Sequence, residues 1–402
     1  MKTVILISTM ALLLFSACSE RELGPLVGIG GKPGVLSNIS VENGHGVSKI
    51  SYTLPDDQQL LYVEAKYTLD NGEVKTVKSS IFKNFVKLEG FVSTDEREIT
   101  LYTINRGEVK SDPIRVMIKP LISPLEMAYG SLLLSPDFGG VNVKYENEFE
   151  HEYVLNILIK VDGTWQVYDK SYSSVKEPVF TFRGLAAEEQ EFAFFLVDKW
   201  RNRSDTLFQN ITPLYEAEVA KGLMRHHLLD NDYYVPSFST RPLSNLWNGP
   251  STAAGSNFVL AAGTGNDFPW WFTIDLGRKY FIGRMNMLSS PALATGSTNI
   301  YSFFFQNTSP RVFEVWGSNN PAVSGSWDSW TLLDRFESIK PSGLPIGNNS
   351  AEDIALGLAG EDFTFSNYDV AYQYIRIKVV DSWSSQFGFI LQEMTLWGAP
   401  TE

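Results

Sequence analysis

The chain has 402 residues, 44% of them hydrophobic, enough for several cores and about two to four domains. Its formal net charge of −13 argues against nucleic acid as a partner and against adhesion to anionic lipid, since phosphate-rich partners need a basic surface. A single cysteine excludes an intrachain disulfide, so each domain must hold together through its own core.

Residues 1–22 read MKTVILISTMALLLFSACSERE. Lys2 leads into an apolar run from Val4 to Phe15, followed by the small residues Ser16 and Ala17 and then Cys18. This is the layout of a secretory signal. The run is short for a membrane span, which needs ~20 residues. A lone cysteine after small residues resembles a bacterial lipobox, with Phe15 where Leu or Val is commoner. That resemblance implies a signal peptide over residues 1–17 and acyl chains on Cys18. Everything after it would then work outside the cytoplasm, tied to a membrane by lipid alone. An ordinary cleaved signal and a true membrane anchor are the alternatives. Residues 18–34, rich in Gly and Pro, read as a flexible tether. Within them Gly28 to Lys32 looks like a fragment of a phosphate loop, but Pro33 follows the lysine and no strand precedes it.

From Val35 the pattern alternates as in β-strands, over Lys49–Leu54, Leu61–Tyr67 and Ile99–Ile104, with turn residues Asp70-Asn71-Gly72 between runs. Residues 35–121 read as one β-sandwich. A second copy follows over residues 122–215. Gly46 finds its echo in Gly140 and Asp112 in Asp205, spacings of 94 and 93 residues. Lys119-Pro120-Leu121 likewise matches Thr212-Pro213-Leu214. Two anchors at nearly one spacing indicate a tandem repeat of a whole domain.

Residues 216–402 form a third module. Ala217–Leu229 is expected as a helix, ahead of strands at Trp271–Leu276, Phe281–Met287, Arg311–Trp316, Tyr374–Val380 and Glu393–Trp397. Long Ser-, Asn- and Gly-rich loops between strands suit a jelly-roll sandwich. Trp271 is expected in its core, with Asp275 and Gly277 shaping a turn. Of Trp327 and Trp330, one is expected inside and one at the surface. Adjacent His226 and His227 carry no zinc motif.

The third module resembles the discoidin, or coagulation-factor type C, family, which includes many carbohydrate-binding modules. The landmarks run in family order: Leu246-Trp247-Asn248-Gly249, Trp271 to Gly277, Phe313 to Ser318, Tyr374-Ile375-Arg376-Ile377, and Gln392 to Gly398. With the lipobox and two fibronectin-III-like repeats, nearly the whole chain resembles surface lipoproteins of Bacteroidota polysaccharide-utilisation loci. The resemblance implies an all-β chain: two tandem immunoglobulin/fibronectin-III-like sandwiches, then a discoidin-like, galactose-binding-like jelly roll. It implies a non-catalytic lipoprotein at the outer-membrane surface, capturing polysaccharide or oligosaccharide for a starch-utilisation-type transporter complex. The alternative is a structural or adhesin-type lipoprotein that binds protein partners or host glycoconjugates.

Discoidin-type modules bind through loops at one end of the sandwich. In this chain those loops offer Asn266, Asp267 and Trp270, then Tyr301, then Trp383 and Gln386. A Trp or Tyr face would stack on sugar C–H groups while Asn, Asp and Gln bond paired hydroxyls. Sugar binders of this type often hold a structural calcium, which implies Asn248, Thr252 and Glu393 as oxygen ligands for Ca2+. Aromatic residues are 13% of the chain, with 10 Trp and 17 Tyr, which suits uncharged sugars. No Gly-x-Ser-x-Gly elbow is present, and the one cysteine is the anchor, so acyl chemistry lacks support.

Overall fold

The computed structural model describes residues 31–234, 241–249, 256–260, 268–291, 301, 303–385 and 387–402. Cys18 lies outside them. The chain divides into two compact units, one of residues 1–133, 144–180 and 192–209, the other of 134–143, 181–191 and 210–402.

The first repeat builds β1 (Ser37–Gly44), β2 (Val47–Thr53), β3 (Leu60–Thr68), β4 (Val74–Ser80), β5 (Phe85–Glu89), β6 (Arg97–Asn105) and β7 (Ile114–Ile118). They form antiparallel sheets ordered β1-β2-β5 and β4-β3-β6-β7. Alternation decides which side chains go in: Ile50 and Tyr52, Val63 and Ala65, Val86 and Leu88, Ile99 and Leu101 all meet in one core. Residues 31–34, the end of the expected tether, are tied to this domain. Thr103 Oγ1 donates to Gly34 O at 2.6 Å and Asn105 Nδ2 to Gly31 O at 3.1 Å.

A short helix, α1 (Pro124–Gly130), opens the second repeat, with Ser123 Oγ accepting from Glu126 N and proline in the first turn. Then come β8 (Leu133–Asp137), β9 (Gly140–Lys144), β10 (Tyr153–Val161), β11 (Thr164–Ser173), β12 (Val179–Arg183), β13 (Gln190–Asp198) and β14 (Leu207–Ile211). Their sheets run β12-β9-β8 and β11-β10-β13-β14.

The repetition extends to single hydrogen bonds. Parallel bridges join His45 to Leu121 and Phe138 to Leu214, and antiparallel ones join Ile104 to Lys110 and Val197 to Arg203. Ser111 Oγ accepts from Thr103 N as Ser204 Oγ accepts from Leu196 N. Every pair is offset by 93 positions, so the partner of Gly46 is Gly139 rather than Gly140. Gly46 N and Gly139 N donate to Leu121 O and Leu214 O.

The C-terminal module adds β15 (Ala217–Glu218), β16 (Arg225–His226), β17 (Phe258–Leu260), β18 (Trp270–Leu288), β19 (Pro310–Ser318), β20 (Thr331–Glu337), α2 (Ala351–Ala359), β21 (Glu361–Thr364), β22 (Tyr372–Ser382), β23 (Phe389–Leu391) and β24 (Glu393–Pro400). The helix expected at Ala217–Leu229 does not form. That segment makes β15, a 3-10 turn at Lys221–Leu223, and β16. The edges of β24 and β18 supply its backbone partners: Val219 N donates to Leu396 O and His227 N to Thr273 O. Tertiary pairing overrides a weak helical pattern.

Strand β18 organises the sandwich. Its first half pairs with β22 through Trp270–Asp275, and its second half with β24 through Tyr280–Leu288. The strand turns a corner between them at Gly277, where φ is +80° and a Cβ would lie 2.6 Å from Leu223 Cβ. One strand thus serves both layers, β16-β18-β22-β19-β20 and β15-β24-β18-β21. Phe272, Ile274, Leu276, Phe313, Val315, Ile375, Ile377 and Met394 fill the space between.

Candidate functional site

Alternation that sends Phe272 and Ile274 inward sends their neighbours outward. Trp271 pairs with Lys378, Lys378 with Glu314, and Glu314 with Arg335, so one row of side chains crosses four strands. In the next row Thr273 lies opposite Arg376, and Arg376 opposite Trp316. The turn that carries Trp327 and Trp330 covers part of this outer face.

The face is built around two cations. Arg376 is fully buried. Its Nε donates to Thr273 Oγ1 at 3.0 Å, its Nη1 to Gly325 O at 2.9 Å, and its Nη2 lies 3.1 Å from the Asp232 carboxylate. Its guanidinium sits 4.7 Å from the centre of the Trp327 ring and 4.5 Å from that of Trp330. Burial pushes Asp232 up to about 6, with Arg376 pulling it back. Lys378 Nζ lies 2.9 Å from Glu314 and over the rings of Trp316 and Trp327 at 5.8 and 5.6 Å. Glu314 also accepts from Trp316 Nε1 at 3.0 Å and Arg335 Nη1 at 2.9 Å. Burial opposes its charge, but the Lys378 and Trp316 bonds win and hold it below the ordinary carboxylate value.

Trp327 meets Trp271 and Trp316 edge-on at 5.2 and 5.0 Å. All three are half-buried, whereas Trp330 is only 7% exposed. The face therefore combines half-buried indole rings with carboxylates and cations that are already paired with one another. Among the described residues no cluster of three His, Cys, Asp or Glu side chains could hold a metal.

This reverses the expected roles of the adjacent tryptophans. Trp270, expected at ligand, is 1% exposed and packs in the core against Phe272 and Phe389. Trp271, expected in the core, stands on the outer face. A shift of one residue flips a strand side chain to the other side.

At the loop end, Asn266, Asp267 and Gln386 lie outside the described residues. Tyr301 is half-buried, its ring 5.5 Å from Phe304, and its carbonyl accepts from Asn349 Nδ2. Trp383 is half-buried too. Its ring meets Phe305 edge-on at 5.4 Å, and its Nε1 donates to Ser338 Oγ at 3.0 Å. Ser338 Oγ in turn donates to Glu361 at 2.7 Å. Burial pushes the Glu361 carboxyl up to about 7. Nearby Lys340, from the Lys340-Pro341-Ser342-Gly343 stretch, donates to the carbonyls of Pro345 and Asn348 and faces Asp353 at 3.8 Å. Its ammonium pins that loop from within.

The expected calcium ligands meet a different cation. Glu393 is 3% exposed and its Oε1 lies 2.7 Å from Lys221 Nζ, which also donates to Thr395 Oγ1 at 2.9 Å. Asn248 turns its amide to donate to Asn245 Oδ1 at 3.1 Å. Thr252 lies outside the described residues. Lys221 thus already pairs with Glu393, the one carboxylate of the expected set, so the described members of that set offer no free carboxylate to a calcium ion, which takes six to eight oxygen ligands.

Three family models match the chain, each described as a domain of unknown function: DUF4959 over residues 33–120, DUF5126 over 121–222 and DUF5000 over 247–398. No curated protein matches. Among solved structures, a SusE-like protein is 28% identical, with 69% of this chain and 100% of that one covered and a TM-score of 0.45. A family 32 carbohydrate-binding module from Clostridium perfringens NanJ, solved with galactose, is 14% identical over 45% of this chain and 98% of its own, with a TM-score of 0.29. A two-domain fibronectin type III segment of chicken tenascin is 13% identical over 44% of this chain and 98% of its own, with a TM-score of 0.22.

Proposed function

We propose that this chain is a non-catalytic, cell-surface glycan-binding lipoprotein, anchored at the outer membrane through Cys18, that captures polysaccharide for a starch-utilisation-type uptake system. The observation that carries the reading is the outer face of the C-terminal sandwich. Trp271, Trp316 and Trp327 are held by one another's edges and by Lys378 and Arg376, yet keep ring surface in water. Flat apolar faces fixed in place suit the C–H faces of sugar rings, and fixing them beforehand lowers the entropy cost of binding. The discoidin-like landmarks and the lipobox support the same reading. Within it, Lys221 would take the place of the cation that the discoidin resemblance implied, and the loop residues expected at ligand, Tyr301, Trp383, Asn266, Asp267 and Gln386, would add further contacts.

Affinity electrophoresis of the intact chain in polysaccharide gels tests this. Retardation by a neutral glycan that Trp271→Ala weakens on the order of tenfold, with unchanged melting, supports capture. No retardation in any glycan, with co-purification of outer-membrane proteins, supports instead the structural role, and released reducing sugar would mean an enzyme.

A further inference from the structure

A second ring-lined site lies in the first unit, far in sequence from the tryptophan face. A cleft of about 170 Å³ is walled by His45, Phe149, His151 and Trp200. Their rings run in a row: His45 to Phe149 at 5.5 Å, Phe149 to His151 at 6.1 Å, and His151 to Trp200 at 6.1 Å. The wall is built, not incidental. Trp200 packs over Gly90, where a Cβ would come within 3.0 Å of the indole. Its carbonyl accepts from Asn71 Nδ2 at 3.1 Å and its amide donates to Asp198 Oδ1 at 2.9 Å. His45 Nδ1 is held at 2.9 Å from Ile122 O.

Tyr153 also lines the cleft. It is 2% exposed, and its hydroxyl has no hydrogen-bond partner among the described residues. A buried hydroxyl left unpaired costs about 1–3 kcal/mol, which a ligand hydroxyl would recover if a small opening of the cleft let it reach this atom. Charges around the cleft cancel. Lys87 pairs with Glu89 at 2.6 Å, Asp198 is capped by the amides of Trp200 and Asn202, and Lys199 sits over the Trp200 ring at 4.5 Å. Each of these charges already has a partner within the protein, which disfavours an ionic ligand. The volume falls below the ~300–1,000 Å³ of drug-sized pockets, so it takes one ring rather than a chain of them.

We propose that this cleft binds a single uncharged pyranose unit, one face against the ring wall and its hydroxyls toward Tyr153 and the two imidazoles. The source of the sugar rests on the glycan-capture reading, but the site does not depend on the tryptophan face. Two sites on one chain would let a polysaccharide that leaves one be held by the other.

Saturation-transfer NMR of the intact chain with the methyl glycosides of glucose, galactose, mannose and xylose tests the proposal. At least one is expected to receive saturation. Phe149→Ala should weaken its binding on the order of tenfold, and Tyr153→Phe by a smaller factor. Phe149 is 41% exposed, so its removal spares the fold where Trp200→Ala could disturb it. Absence of transfer from every pyranoside, or transfer that survives Phe149→Ala and Tyr153→Phe unchanged, overturns the proposal. Polysaccharide retardation in Trp271→Ala reports on the other face, so the two readings fail separately.

Discussion

The loop end and the outer face of the C-terminal sandwich hold the same kinds of residue and use them in opposite ways. At the loop end the polar atoms are committed to the protein: Trp383 donates to Ser338, Ser338 to Glu361, and Lys340 to carbonyls of its own loop. On the outer face the cations brace the tryptophans from beneath and between, leaving Trp271, Trp316 and Trp327 half in water. An aromatic residue in a loop is thus no better a ligand contact than one on a strand. What matters is whether its partners hold it up or fold it down.

The largest expected effect breaks the outer face itself. Arg376→Ala leaves Asp232 buried without its counter-charge and removes the cation between two indoles. It should cost about 3–5 kcal/mol in urea unfolding followed by tryptophan fluorescence. Adding Asp232→Ala should restore part of that loss, and an unchanged midpoint in Arg376→Ala would mean that Arg376 and its buried pair with Asp232 do not stabilise the face.

The next effect belongs to the loop end. Folded Glu361 keeps its proton to about pH 7, against an ordinary value of 4.5 in the unfolded chain. A raised folded value means the folded state binds the proton more tightly. Its contribution is therefore complete below pH 4.5 and is lost as pH rises through 7. Melting temperature should fall over that window, equivalent to about 3 kcal/mol, and Glu361→Gln should flatten the profile. A profile unaltered in Glu361→Gln would show that the carboxyl is ionised throughout.

Much of this was legible in the chain and some was not. Alternation marked the strands around Ile50, Leu101 and Ile377 because one face of each is buried. The 93-residue repeat was legible because its Ser-Asp and Pro-Leu motifs make the same backbone bonds in both copies. The exchange of Trp270 and Trp271 was avoidable: Phe272, Ile274 and Leu276 fix the parity of the strand, and parity puts Trp271 outside. Phe313 and Val315 do the same for Trp316. Ala217–Leu229 was not legible, since its strands exist only because β24 and β18 offer edges. Nor was the His45–Trp200 row, whose members stand far apart in sequence and meet only through the fold.

Smaller effects separate ammonium from calcium. Lys221→Met leaves Glu393 buried with, among the described residues, Gly249 N as its one donor at 3.3 Å, and should destabilise the chain by about 1–2 kcal/mol. EDTA should leave the melting temperature unchanged. A drop with EDTA that calcium reverses would restore the ion.

The most direct test of the central claim is the retardation of Trp271→Ala and Trp383→Ala side by side in gels of the glycan that retards the unaltered chain. Loss on the order of tenfold in affinity for Trp271→Ala, with the larger share of binding kept in Trp383→Ala, is the expected result. Binding intact in Trp271→Ala and abolished in Trp383→Ala would return the site to the loop end and contradict the account.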